Sequence, residues 1–186
     1  MTVHRVWRAV DGEGTEELEL THEPSGAGVR VRSTVTGEDT ALGTAWDADY
    51  ALACDAHWAV RHLVVDERRT GAHLELRADG EGGWTDGDGT ALPHLDGCVD
   101  VDFRATPFTN TLPIRRLGLA TGESAIIEVV YVDAPDLTTT RERQIYTRLT
   151  GNVWHFEQPS AEFTATISVD EDGLVVDYPG LFLRQS

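Results

Sequence analysis

Apolar and polar residues alternate with a period of two along much of this 186-residue chain. Because successive side chains of a strand point to opposite faces, this pattern predicts strands that each bury one face. The alternation is clearest in residues 18–20, 29–35, 73–77, 145–149 and 163–169, and turn residues separate these segments. The pattern therefore predicts a mainly β fold with a mostly antiparallel sheet, and its clearest hairpin at residues 169–176.

Two other patterns add to this picture. The continuous apolar runs at residues 63–65 and 125–132 are typical of strands that are covered on both faces. One helix is predicted at residues 106–117, where Thr106 precedes a proline and Gly118 follows two arginines. Pro113 removes a backbone donor from this segment, so the helix should be short or broken.

The composition excludes two classes of partner. The chain has 32 acidic and 15 basic residues and a formal net charge of −17, and lysine is absent. A field of that sign repels nucleic acid and anionic membrane surfaces, so neither is an expected partner. The length fits one domain that spans residues 1–186. Because no signal-peptide or membrane-spanning pattern occurs, we expect a cytoplasmic protein without membrane insertion.

No metal or cofactor site is predicted. The seven histidines show no metal-binding spacing, and Cys54 and Cys98 lie too far apart in sequence to complete a zinc site. The acidic loop at residues 86–89 lacks the ligand spacing of a calcium loop, so a solvated hairpin loop is the better interpretation. Signatures of a catalytic nucleophile are also missing from the sequence.

The segment from Phe103 to Gly122 contains no acidic residue, although the protein as a whole is strongly acidic. It interleaves hydroxyl and amide side chains, such as those of Thr106 and Asn110, with apolar residues. Buried polar groups of this kind need hydrogen-bond partners. We therefore predict that residues 106–117 form a mostly buried element with its polar groups satisfied by neighbours.

Charged residues flank this segment on both sides. Asp100 and Asp102 share one face of the preceding strand, and Arg115 and Arg116 follow. We predict an ion pair between one of these arginines and one of these carboxylates, because a buried unpaired charge is strongly disfavoured. Two close carboxylates are also suited to acid-base chemistry where one of them lies unpaired in a cleft. The sequence leaves that alternative open.

Aromatic residues occur throughout the chain and include five tryptophans. In a β domain most such rings fill the core. A minority, such as Tyr178, is available to line a groove for an apolar or sugar-bearing ligand, since ligand sites combine rings with a few convergent polar groups.

Three motifs carry a resemblance to a known family. They are Gly97-Cys-Val-Asp-Val-Asp102, Thr106-Pro-Phe-Thr-Asn-Thr-Leu-Pro-Ile-Arg-Arg-Leu117 and Val175-Val-Asp-Tyr-Pro-Gly-Leu-Phe182. With these motifs the chain resembles the bacterial family of putative glycolipid-binding proteins, formerly a domain of unknown function. The resemblance spans nearly the whole chain.

The resemblance implies an antiparallel sheet rolled into a barrel-like spiral around one short helix, often dimeric and similar in shape to periplasmic carriers of lipoproteins. It also implies a non-enzymatic protein that binds a lipid, glycolipid or other amphiphile in an apolar cavity. Since a fold likeness is not itself a site, two other hypotheses stand beside it. One is a structural or self-associating module, and the other is a hydrolase or isomerase that uses Asp100 or Asp102 as base on a lipid-like substrate.

Arginines are the expected contacts for an anionic or sugar headgroup. The predicted ligand-binding residues are Arg61, Asp100, Asp102, Thr106, Asn110, Arg115, Arg116 and Tyr178. A homodimer is expected as well, and no catalytic residue, metal or cofactor is assigned.

Overall fold

The computed structural model describes residues 1–10, 12, 14–39 and 43–186. The strands are β1 (Thr2–Ala9), β2 (Thr15–His22), β3 (Gly28–Asp39), β4 (Thr44–Asp55), β5 (Val60–Glu67), β6 (His73–Ala78), β7 (Trp84–Asp86), β8 (Asp100–Phe103), β9 (Ser124–Val132), β10 (Thr139–Thr150), β11 (Val153–Gln158), β12 (Phe163–Val169), β13 (Val175–Tyr178) and β14 (Phe182–Arg184). The helix α1 covers Thr111–Leu117, and 3₁₀ turns occupy Pro24–Gly26, Pro93–Leu95, Phe108–Asn110 and Pro159–Ala161. None of the helices in these residues is long and apolar enough to cross a bilayer.

The strands form one open sheet of 14 strands. Its spatial order is β7-β6-β5-β4-β3-β2-β1-β14-β13-β12-β11-β10-β9-β8. This order contains two meanders, which we name the N-terminal arm (β1–β7) and the C-terminal arm (β9–β14), joined where β1 pairs with β14. The pairs within the arms are antiparallel, whereas β8 pairs with β9 in parallel. The prediction of a mainly β fold with a rolled sheet and one short helix is confirmed.

The two ends of the sheet approach each other. The backbone amide of Val60 donates to the carbonyl of Val99 at 3.4 Å, and that of Gly97 donates to Gly82 at 2.9 Å. The Trp84 indole adds a third bond, 2.8 Å long, to the carbonyl of Cys98. These bonds join β5 and the region around β7 to the segment that leads into β8, so the sheet curls back on itself.

Two apolar clusters fill the roll, and α1 lies between them. The N-terminal core includes Trp7, Leu20, Val31, Leu52 and Leu63. The C-terminal core includes Tyr146, Trp154, Phe156, Ile167 and Val175. Leu112 of α1 belongs to the first cluster and Ile114 to the second, so the helix connects the two halves of the interior.

Strand β9 has both faces covered along its second half, as its apolar run predicts. Val129 contacts the C-terminal core, whereas the neighbouring Val130 contacts the N-terminal core. At the start of the strand the prediction is wrong, because Ile126 is 67% exposed. Only the part of β9 that lies beside β8 is enclosed by the roll.

The helical segment is short and split, as its prolines predict. A 3₁₀ turn precedes α1, and Pro113 is the third residue of α1, where a backbone donor would have no partner within the helix. The Thr106 hydroxyl accepts the amide of Phe108 at 2.9 Å, and Gly118 ends the helix with a left-handed φ of 57°. Every residue from 106 to 114 is buried, which confirms the predicted interior element.

Candidate functional site

A cavity of about 530 Å³ lies at one end of the roll, between β3–β4 on one side and the C-terminal arm on the other. Glu38 and Ala161 line it and are exposed, so they mark its rim. Thr106 and Asn110 line it and are buried, so they form its floor. Its volume falls within the range of small-molecule sites, roughly 300–1,000 Å³.

An aromatic wall, formed by Phe156, Phe163, Tyr178 and Phe182, lines the side of the cavity made by the C-terminal arm. The ring of Tyr178 lies 6.3 Å from that of Phe156 and 6.3 Å from that of Phe163. Strands β11, β12, β13 and β14 contribute one ring each, which follows from their antiparallel order in the sheet. This wall provides a continuous apolar surface.

Trp46 forms the opposite wall. It is paired across the strands with Gly37, and its ring lies so close to Gly37 that a Cβ there would meet ring atoms at 2.4–2.6 Å. The Arg104 guanidinium stacks over the same ring, 5.9 Å from its centroid, and pairs with Asp133 at 3.1 Å. Among the residues that the structure describes, the buried Nε1 of Trp46 has no hydrogen-bond acceptor.

Asp102 brings a carboxylate to the cavity from β8. Its Oδ1 accepts the Thr109 hydroxyl at 3.2 Å and its Oδ2 accepts the Gln144 amide at 2.6 Å. It lies deep in the roll but keeps part of its surface open to the cavity. Burial raises the pKa of Asp102 above its ordinary value, against the effect of these two hydrogen bonds. Burial, followed by the charge of Asp102, also raises the pKa of Tyr131 in the cavity wall to about 12.

Asn110 is held in place on the cavity floor by two hydrogen bonds. The Tyr146 hydroxyl donates to its Oδ1 at 3.0 Å, and its Nδ2 donates to the carbonyl of Pro107 at 3.3 Å. Gln144 and Tyr146 are the two buried residues of β10 and are separated by the half-buried Ile145, so both point into the roll. The polar side chains of the floor are thus oriented before any ligand arrives, which favours specific recognition.

Glu16 lies behind the floor with its carboxylate buried. It accepts three hydroxyl donors: Tyr50 at 2.6 Å, Thr106 at 2.6 Å and Ser33 at 2.9 Å. Burial raises the pKa of Glu16 from 4.5 to about 7 and outweighs the opposing hydroxyl bonds. Through Thr106, this cluster ties β2–β4 to the helical segment at the base of the cavity.

Four of the predicted ligand-binding residues, Asp102, Thr106, Asn110 and Tyr178, line this one cavity. Asp100 and Arg116 instead form a buried ion pair at 2.6 Å, with side chains 0% and 22% exposed. This pair confirms the predicted bond between the two charged groups. Burial raises the pKa of Asp100, and the hydrogen bonds from Arg116 oppose that rise.

The other two predicted arginines also lie outside the cavity. Arg115 stacks on the ring of Trp58 at 5.2 Å, at the far end of α1. Arg61 is 45% exposed and lies 3.7 Å from the carboxylate of Asp55. The arginine that does line the cavity is Arg104, the residue directly after β8.

Three residues of the site were not predicted from the sequence: Glu16, Trp46 and Tyr131. The buried position of Glu16 could have been predicted, because Glu16 lies on the same face of β2 as Leu18 and Leu20, whose side chains are buried. Alternation therefore placed a carboxylate in the interior. No local pattern marked Trp46 or Tyr131 as cavity residues, because their position depends on strands that are distant in sequence.

A second concavity, of about 490 Å³, crosses the exposed face of β1–β5. Its walls carry many charged side chains, such as His4, Glu19, Arg32 and Asp66. Ligand sites combine apolar walls with a few polar groups, so the aromatic cavity is the better candidate.

The acidic loop at residues 86–89 is a hydrogen-bonded turn. The Asp86 carboxylate accepts the amides of Asp88 at 3.0 Å and Thr90 at 2.8 Å. Within the described residues, no group of three or more His, Cys, Asp or Glu side chains is placed to hold a metal ion.

The fold and the cavity define a mainly β protein whose open sheet is rolled around one short helix and a half-open aromatic cavity. The sequence model of the family described as "Putative glycolipid-binding" matches residues 4–184, so the chain belongs to this family. The structure is similar to the crystal structure of a DUF1089 family protein from Pseudomonas aeruginosa, with 44% identity and a TM-score of 0.85, over 96% of this chain and 95% of that chain. None of the curated proteins matches the chain.

Proposed function

We propose that this protein binds a lipid, glycolipid or other amphiphile in the aromatic cavity and does not transform it. The observation that carries the proposal is the cavity itself, about 530 Å³ in volume, with the aromatic wall on one side and polar groups on its floor. Sites of this size and composition bury most of the surface of a small ligand. The family description is consistent with this function.

The cavity offers separate surfaces to the two parts of an amphiphile. The aromatic wall suits an alkyl chain, because burial of apolar surface is favourable at about 25 cal/mol per Å². Asp102 and Asn110 suit a polar headgroup, because their positions are fixed by hydrogen bonds from Gln144 and Tyr146. Of the predicted ligand-binding residues, the proposal retains the four that line the cavity.

A titration of tryptophan fluorescence and equilibrium dialysis with fatty acids, phospholipids and glycolipids, below their micelle concentrations, tests this proposal. We expect at least one class to bind saturably. Phe182→Ser should weaken that binding by about 10-fold or more, since it removes a ring of the aromatic wall. Leu149→Ser is the control, because Leu149 of β10 is 45% exposed and does not line the cavity. If no amphiphile binds, or if both variants weaken binding equally, the proposal is wrong.

One observation favours a second candidate, a hydrolase or isomerase acting on a lipid-like substrate. Asp102 lines the cavity, its hydrogen-bond donors are the neutral groups of Thr109 and Gln144, and burial raises its pKa. These are the properties of a carboxyl group suited to acid-base chemistry. Conversion of ester or glycoside amphiphiles to products during the same incubations, abolished by Asp102→Asn, would show that the protein is an enzyme. The proposal of a protein that only binds its ligand would then be wrong.

We also propose a homodimer, on the strength of the family resemblance. Val6 and Leu183 are 37% and 47% exposed on the neighbouring strands β1 and β14, and provide apolar surface for such a contact. Light scattering coupled to size exclusion measures the mass directly. A monomer mass at all concentrations would remove the dimer without affecting the binding proposal.

A further inference from the structure

We infer that the cavity takes an organic cation, an ammonium group on an apolar chain, and holds the ammonium between the carboxylate of Asp102 and the aromatic rings beside it. The inference rests on the proposed function, because it names the headgroup of the amphiphile that the same cavity binds. Neutral and anionic amphiphiles of the same chain length are weaker ligands of this site.

Asp102 provides a carboxylate that has no cationic partner among the residues that the structure describes. Its two hydrogen-bond donors, the Thr109 hydroxyl at 3.2 Å and the Gln144 amide at 2.6 Å, are both neutral. The other carboxylate of β8, that of Asp100, is instead paired with Arg116 at 2.6 Å. A charge away from bulk water is strongly disfavoured without a counter-charge, so a cation that enters the cavity stabilises the ionised form of Asp102.

The hydrogen-bonding capacity of the Asp102 carboxylate is only partly used. An ionised carboxylate offers about four acceptor sites, and Thr109 and Gln144 each supply one donor. A primary ammonium group has three N–H donors, a hydroxyl group has one O–H donor, and a carboxylate headgroup has none. The acceptor sites that remain on Asp102 therefore favour an ammonium group over a neutral or anionic headgroup.

Two aromatic rings lie near this carboxylate. Tyr131 of β9 is the register partner of Asp102, so the two side chains leave the sheet on the same face, and both residues line the cavity. Burial, and after it the charge of Asp102, raises the pKa of Tyr178, so this second ring lies within reach of the same charge. The faces of aromatic rings attract cations. An ammonium group beside Asp102 therefore meets both a negative charge and ring faces.

The arginine in the cavity wall does not neutralise Asp102. The guanidinium of Arg104 is paired with Asp133 at 3.1 Å and stacked on the Trp46 ring, so its charge is already balanced. Glu38 adds a negative charge at the rim, and the net charge of −17 attracts cations at long range. An anionic headgroup would be repelled both by this field and by Asp102 inside the cavity.

Isothermal titration of the intact protein with four probes of equal chain length tests the inference. The probes are octylammonium, octyltrimethylammonium, 1-octanol and octanoate, each below its micelle or solubility limit, at about pH 8, where an alkylammonium group is charged. We expect octylammonium to bind at least about 10-fold more tightly than 1-octanol, and octanoate to bind most weakly. Octyltrimethylammonium should lie between octylammonium and 1-octanol, because it keeps the charge but has no N–H donor.

The same titrations at about 1 M salt separate the cavity from the acidic surface of the protein. Salt screens the attraction between a cation and exposed carboxylates, whereas contacts inside the cavity are screened much less. The order of the four probes should therefore persist. An order that disappears at high salt would show adsorption to the surface and would overturn the inference.

Two variants assign the preference to residues. Asp102→Asn should weaken octylammonium binding by about 10-fold or more and reduce its advantage over 1-octanol to less than about threefold. Asp66→Asn is the matched control, because it removes the same charge from an exposed residue outside the cavity. Tyr131→Leu should weaken octyltrimethylammonium binding by about threefold or more, and 1-octanol binding by less, because it removes a ring and keeps an apolar side chain.

The possible results distinguish failure of the inference from failure of the proposed function. If 1-octanol or octanoate binds as tightly as octylammonium, or if Asp66→Asn weakens octylammonium binding as much as Asp102→Asn does, the inference is wrong and amphiphile binding stands. If none of the four probes binds, the inference is wrong, and the panel of fatty acids, phospholipids and glycolipids decides the proposed function. Should Asp102→Asn fail to fold, the order of the probes on the wild-type protein and on Tyr131→Leu decides the matter.

Discussion

Two buried carboxylates of this protein lie in opposite environments. Asp100 meets the guanidinium of Arg116, which remains charged at any pH at which the protein is folded. Glu16 meets three hydroxyl groups, from Ser33, Tyr50 and Thr106, and burial raises its pKa to about 7. The hydroxyls satisfy the carboxyl group without supplying a counter-charge, so Glu16 exchanges a proton near neutral pH.

At this scale we expect Glu16→Gln to flatten the dependence of stability on pH. The folded state binds the Glu16 proton more tightly than the unfolded chain, because the pKa rises from 4.5 to about 7 on burial. The stability that Glu16 contributes is therefore fully present below about pH 4.5 and is lost as the pH rises through about 7, by about 3 kcal/mol in total. Urea unfolding at a series of pH values measures this loss.

Glu17→Gln is the matched control, because Glu17 is the next residue of β2 and lies on its exposed face. It should keep the wild-type profile. A Glu16→Gln protein whose stability still falls by the wild-type amount over this pH range would show that another group takes up the proton.

The residue-level predictions succeeded where sequence proximity limits the choice of partners. Asp100 and Arg116 flank one short segment, so their ion pair was foreseen. The interior position of Glu16 could also have been predicted, because Glu16 lies on the buried face of β2. The arginines expected to contact a headgroup lie elsewhere, because the sequence does not show which side of the roll a residue faces.

At the scale of elements, the pairing of β3 with β4 shapes the cavity. Gly37 lies directly opposite Trp46 in this ladder, and the indole folds over the glycine. A glycine is needed here because of the close approach of the ring. The absence of a side chain at one position thus sets the orientation of an aromatic ring in the cavity wall.

We expect Gly37→Ala to displace the Trp46 ring. The new Cβ would meet ring atoms at 2.4–2.6 Å, and no rotation of a methyl group relieves such a contact. The variant should lose about 1–3 kcal/mol of stability, shift the tryptophan emission and weaken amphiphile binding. Gly151→Ala is the control, since no atom lies within 4 Å of the Cβ it would add. An unchanged emission spectrum for Gly37→Ala would contradict this account of the wall.

The elements themselves were largely predictable, because period-two alternation is a local property. Pro113 predicted a short helical segment, and the structure divides it into a 3₁₀ turn and α1. The parallel pairing of β8 with β9 was not predicted. The sequence of neither strand indicates its partner or its direction, because both depend on the course of the helical segment between them.

At the scale of the molecule, the order of strands within each arm follows the chain, as successive turn signals predict. The joining of β1 to β14 does not follow from any local pattern, because it brings together the two ends of the sequence. That seam determines that the arms form one sheet. The rolled shape was expected from the family resemblance and not from the alternation.

The seam is short and depends on Trp7. The register between β1 and β14 contains only three residue pairs, Trp7 with Arg184, Arg8 with Leu183 and Ala9 with Phe182. The fully buried Trp7 indole also donates to the carbonyl of Val175 on β13, at 2.8 Å. One side chain of the N-terminal core therefore holds the last strands of the C-terminal arm.

We expect Trp7→Phe to weaken the connection between the arms, because it removes this bond and leaves a buried carbonyl without its donor. The loss should be about 1–3 kcal/mol of unfolding free energy, with faster hydrogen exchange concentrated in β13 and β14. Trp84→Phe is the control: its indole makes a bond of the same length, 2.8 Å, to Cys98 in the segment before β8. That variant should lose similar stability but speed exchange near residues 93–99. If Trp7→Phe instead accelerates exchange uniformly through both arms, the seam is not a separate point of opening, and the sheet unfolds as a single cooperative unit.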